Sequence, residues 1–207
     1  MQKIGLYIHI PRTGGTFLRS YFADSAPTIK QVGHDRLSEL DFDLTPYFKF
    51  AFIRNPWDWY VSRYFYFCRI MAVEAGVSIT CDSGLMGNEF SKRFPTLKEH
   101  LLWGLENAEN FWLTDRYKDM CFIDGADKID FVFRFEDLKG NVKNLFSHLQ
   151  IKPTISYSKF CQTAGGKFFN STEHLHYSKY YDADLIELVH NNDSYIIERF
   201  GYEYEIR

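Results

Sequence analysis

The 207-residue chain has no surplus of positive charge: 24 lysines and arginines stand against 27 aspartates and glutamates, a formal net charge of −3. That balance excludes a protein that coats nucleic acid through a general basic surface, while leaving room for a local basic pocket. The four cysteines, Cys68, Cys81, Cys121 and Cys161, are widely spread and form no CxxC pair, which argues against a zinc knuckle or a thioredoxin-like site. No stretch approaches the roughly 20 apolar residues of a membrane span. The opening MQKIGLYIHIP has too short an apolar run, and no cleavage pattern, for a signal peptide. The expectation is a cytoplasmic protein with no membrane span, no nucleic-acid partner and no metal site. No internal repeat is visible.

What is present is an ordinary globular balance, 45% hydrophobic and 25% charged, over a length that favours one domain across residues 1–207. Residues 72–95 carry Gly, Ser, Asn and Pro and read as an irregular excursion from that domain. Aromatic residues reach 18%, a surplus that suits a binding cleft as well as a core. Strands are expected at 4–10 (IGLYIHI), 28–33, 48–54 (FKFAFIR) and 128–135 (KIDFVFRF). Helices are expected from Thr16 to Ala23, from Asn55 onward, near 96–105 and 107–117, over EDLKGNVKNLFSHLQI, and as one final helix over roughly 181–199 closed by Gly201. Alternating strands and helices predict an α/β fold with a central parallel sheet, whose ligands bind beyond the carboxyl ends of the strands.

Two stretches fall at such ends. In IHIPRTGGTFLRSYF, residues 8–22, a strand runs through PRTGGT into a helix. Adjacent glycines let the backbone turn closely, residues Thr13 to Thr16 can aim N–H groups into one concavity, and the helix adds its positive end. Arg12 stands at the lip. A plain strand-to-helix turn is the competing explanation. The Walker pattern GxxxxGK[ST] is missing its lysine, which lowers the case for magnesium–nucleotide chemistry. In the second stretch, RNPWDWYVSRY, Arg54 ends a strand before a helix start where Asn55 can cap, Pro56 can open the first turn, and Asp58 occupies a partial capping-box position. Ser62 lies seven residues past Asn55, two turns along the same face, so Arg54 and Ser62 could converge on one phosphate.

Together these stretches resemble the sulfotransferases that use 3'-phosphoadenosine 5'-phosphosulfate (PAPS) and release 3'-phosphoadenosine 5'-phosphate (PAP). The family's first loop usually reads PKTGGT or PKTAST, matched here by Pro11, Arg12, Thr13, Gly14, Gly15 and Thr16. Its later RxPxxRxxSxY pattern is matched at Arg54, Pro56, Ser62 and Tyr64. FRFEDL, residues 133–138, is similar to the family's RYEDL segment, and the closing helix resembles the carbohydrate-type branch. The resemblance implies a three-layer sandwich of the P-loop nucleotide-hydrolase type, a loop that holds the 5'-phosphosulfate, and Arg54 with Ser62 on the 3'-phosphate. It implies a saccharide or small-molecule hydroxyl as acceptor, and a late loop that crosses the nucleotide, where Lys167, Asn170 or Ser171 could contribute. Arg12 in place of lysine and Trp59 in place of the second arginine are departures from the pattern.

A transferring sulfuryl group carries one negative charge, so cations and amides can stabilise the leaving oxygen without a metal cage. Arg12 is assigned that role. His34, in VGHD after the second strand, is the expected general base, with a loop-capping or solvent histidine as its alternative and His9 as its rival. Trp57, Trp59, Trp103 and Trp112 are either acceptor platforms or core. A magnesium-dependent nucleotide kinase and a non-catalytic module for phosphorylated ligands or proteins are the competing functions.

Overall fold

Ile4–Ile8, the first apolar run, is strand β1 in a computed structural model that describes residues 4–74, 89–107, 109–163 and 174–207. It is followed by α1 (Gly15–Ser25), β2 (Lys30–Gln31), β3 (Tyr47–Ile53), α2 (Pro56–Glu74), α3 (Glu89–Arg93), α4 (Leu97–Asn107) and α5 (Leu113–Cys121). Then come β4 (Phe122–Ile123), β5 (Ala126–Asp127), β6 (Phe131–Arg134), α6 (Leu138–His148), α7 (Tyr157–Phe160), α8 (Ala183–Asn192) and α9 (Ser194–Phe200). The described residues group into two compact units, one from 4–54 and 116–163, the other from 55–115 and 174–207.

The first unit is α/β, as the alternation of strand and helix patterns predicts. Its four-stranded sheet has the order β2–β1–β3–β6, with every pairing parallel. Tyr7 stands opposite both Gln31 and Phe50, and Phe52 stands opposite Phe133. Successive side chains point to opposite faces, so Tyr7, Phe48, Phe50, Phe52 and Phe133 share one face. That face packs against Leu18 and Phe22 of α1, Val142, Leu145 and Phe146 of α6, and Phe160 of α7. Leu6, Ile8, Ala51 and Ile53 on the opposite face are also fully buried, which explains why these strands read as continuous apolar runs. Each fully buried phenylalanine contributes about 2 kcal/mol of hydrophobic stabilisation.

α6 begins where the Asp137 carboxylate accepts the Gly140 N–H at 3.1 Å. A Cβ on Gly140 would fall 2.2 Å from that carboxylate, so this glycine serves the cap. β4 and β5 form a small antiparallel hairpin closed by Asp124 and Gly125, both at positive φ (52° and 74°), the geometry an Asp-Gly turn favours.

In the second unit, α2 starts as its sequence predicts: the Asn55 side chain accepts the Asp58 N–H at 3.4 Å, and Pro56 opens the helix. Trp57, Trp59 and Trp112 take the core alternative, being 2%, 1% and 8% exposed. The Trp57 indole donates to the Ile186 carbonyl at 3.3 Å. His100 sits in a box of rings, with Phe90, Phe94 and Phe111 centred 5.2 Å away.

The single closing helix expected over 181–199 is two helices, α8 and α9, divided at Asp193. That carboxylate is completely buried; it accepts the Tyr60 hydroxyl at 2.6 Å and the Thr114 N–H at 2.7 Å. The Tyr60 hydroxyl in turn accepts the Leu113 N–H at 3.0 Å. Burial pushes the Asp193 carboxyl up to about 6, against the lowering effect of the hydrogen bonds from Tyr60 and Thr114. Among the described residues no helix is long and apolar enough to cross a membrane.

Candidate active site

Three adjacent strands of the first unit deliver the expected residues to their carboxyl ends: His34 follows β2, PRTGGT follows β1, and Arg54 follows β3. This is the edge where ligands collect in open parallel sheets.

The loop after β1 turns through left-handed backbone at Arg12 (φ 66°) and Gly14 (φ 79°). Thr13 is fully buried, and its hydroxyl donates to the Ile10 carbonyl at 2.7 Å, which braces the loop from within. α1 then begins at Gly15 with no side-chain cap and no acid in its first turn. Its leading N–H groups and positive dipole end therefore meet no carboxylate of their own helix, an arrangement suited to an anion. Thr16 is exposed in that first turn.

Both glycines are required by close neighbours. A Cβ on Gly14 would lie 2.7 Å from the Phe135 ring, and one on Gly15 would lie 1.7 Å from Nε2 of His9. The Phe135 ring also carries the Arg54 guanidinium, 4.8 Å from its centroid. Arg54 donates to the Arg12 carbonyl at 3.5 Å, so the cation at the end of β3 reaches the loop after β1.

His34 is exposed. Its ring lies 4.4 Å from that of His9, tilted by 33°. No hydrogen bond joins it to Asp35 among the described residues; its aromatic neighbour is His9, which is only 6% exposed. Burial, then the proximity of His34 and Arg19, lowers His9 to about 3, so it is neutral at ordinary pH. Ser62 belongs to the second unit, where it is 1% exposed on α2. Lys167, Asn170 and Ser171 lie outside the described residues. No group of three or more potential metal ligands occurs among the described residues.

Phe135 is the neighbour that sequence reasoning missed; His9, named as the rival base, is instead packed beneath the loop. The glycine pair signals that something approaches closely, but not which side chains do so.

A family model described as the sulfotransferase family matches residues 6–203. The chain belongs to the sulfotransferase family. No curated protein matches it. Family membership sets sulfuryl transfer as the general reaction, with PAPS as the family's usual donor and a hydroxyl-bearing molecule as the acceptor. In this sulfotransferase-family chain Arg12 follows β1 and Arg54 follows β3, at two neighbouring strand ends beside a helix start that has no side-chain cap.

Proposed function

We propose that the chain transfers a sulfuryl group from PAPS to a hydroxyl of a saccharide or small metabolite, by in-line displacement. The donor supplies the sulfuryl group and leaves as PAP. The amides of Thr13, Gly14, Gly15 and Thr16 hold its 5' end, and Arg12 stabilises the charge that grows on the leaving oxygen. Arg54, at the end of β3, holds the 3'-phosphate. His34 accepts the hydroxyl proton. No metal is required in this scheme, because amides and cations carry the charge stabilisation.

The observation that supports this reading best is the meeting of Arg54 with the Arg12 carbonyl, which ties two phosphate-type elements together at one sheet edge. Calorimetric titration with PAP, beside ADP and ATP with and without magnesium, tests it. Metal-independent binding selective for the 3'-phosphate is the expected result. Preference for magnesium ATP would move the assignment to a kinase, and no nucleotide binding by folded protein would move it to a non-catalytic module.

A further inference from the structure

His9 is a buried imidazole that the scheme above leaves without a task. It follows β1 and fills the space beneath the first residue of α1, where a Cβ on Gly15 would collide with three of its ring atoms. One face of the environment is the Tyr7 ring, 6.1 Å away and nearly parallel. Another is the His34 ring at 4.4 Å. The buried Nδ1 of His9 has no hydrogen-bond partner among the described residues. Among the described residues, the titratable and charged groups that face it are Tyr7 on β1, Arg19 on α1 and His34 after β2, with no carboxylate among them.

A histidine placed to carry charge would have an acid beside it. This one is buried, has a tyrosine, an arginine and a second histidine as its titratable or charged neighbours, and a glycine is cut away to admit it, so its surroundings select a flat, neutral ring. We propose that His9 is a positioning residue, whose ring is the shelf that holds the His34 imidazole beside the phosphate loop. The proposal rests on His34 being the general base. A base held by ring contact reaches its substrate without losing rotamer freedom at the moment of reaction. Once His34 takes up the acceptor proton, a neutral aromatic face attracts the resulting cation, whereas a charged neighbour would repel it.

The test compares His9→Ala, which removes the shelf, with His9→Phe, which keeps a planar ring and has no nitrogen to titrate. His34→Ala runs in parallel. The probe reaction is conversion of PAPS to PAP with water as acceptor, which needs a proton removed in the same way. PAP affinity is measured by calorimetry, and the ring-current-shifted Cε1–H signal of His34 by NMR.

His9→Ala is expected to lower kcat about tenfold, to change PAP affinity by less than about threefold, and to move the His34 signal. His9→Phe should keep kcat within about threefold of the parent and leave the His34 signal displaced by its ring. Unchanged kcat in His9→Ala, with His34→Ala inactive, overturns the role of His9 and leaves the base intact. Full activity in His34→Ala removes the base itself, and the shelf's catalytic purpose with it. If His9→Ala does not fold, His9→Phe decides: a folded variant as impaired as His34→Ala overturns the proposal. An unmoved His34 signal in folded His9→Ala does so without any activity measurement.

Discussion

Arg54 is fixed by contacts that exist without a nucleotide: the Phe135 face on one side and the Arg12 carbonyl on the other. An arginine already held in place spends little conformational entropy when a phosphate arrives. Arg54→Ala should therefore weaken PAP binding by about 10- to 100-fold, the size of a lost charge-assisted hydrogen bond. ADP, which lacks the 3'-phosphate, should lose far less. Equal losses for the two ligands in side-by-side titrations would remove Arg54 from the 3'-phosphate. At this scale the sequence was legible where one short segment contains the whole signal: the turn from β1 into α1 through Pro11 to Thr16 follows from adjacent glycines and a helix start. The close packing of His9 against Gly15 and His34 was not, because those residues reach it only through folding. The tryptophans show the same limit, since platform and core use the same residue type.

At the scale of elements, the closing helix breaks where Asp193 turns inward to meet Tyr60 and Thr114. The apolar periodicity of Leu185, Val189, Ile196 and Ile197 runs through the break, so sequence alone suggested one helix. The start of α2 was legible for the opposite reason: Asn55, Pro56 and Asp58 are local signals with local partners. Asp193→Ala would strand two buried donors, the Tyr60 hydroxyl and the Thr114 N–H. It should cost about 3 kcal/mol in a urea titration. Asp193→Asn keeps one carbonyl acceptor and should cost about half as much. If both variants matched the parent, the network would contribute nothing to stability.

At the scale of the whole molecule, three buried groups among the described residues contribute strongly to the response to acid. His9 and His100 are both lowered to about 3, in each case first by burial, while an unfolded histidine titrates near 6.5. Below pH 6.5 the unfolded chain binds protons that the folded chain refuses. Each histidine then removes about 1.4 kcal/mol of stability per pH unit. Asp193 acts in the other direction between its folded value of about 6 and its unfolded 3.8, because there the folded state binds the extra proton. The balance of the three is a loss of about 3 kcal/mol between pH 6 and pH 4. His100→Phe, which suits the surrounding ring box, should make denaturation midpoints fall less steeply over that range. A slope unchanged from the parent would remove His100 as a source. The order of strands and helices was legible at this scale, since parallel strands buried on both faces need long apolar runs. The partners that tune these three groups come from distant parts of the chain and were not. One ring described above also joins two tasks: Phe135 rests on Gly14 and supports Arg54. The two grips proposed for the donor are thus one mechanical part, and a jolt to either travels to the other. Such a clamp favours molecules that fill both ends, so fragments of the donor should bind together less tightly than the intact nucleotide by more than their tether accounts for.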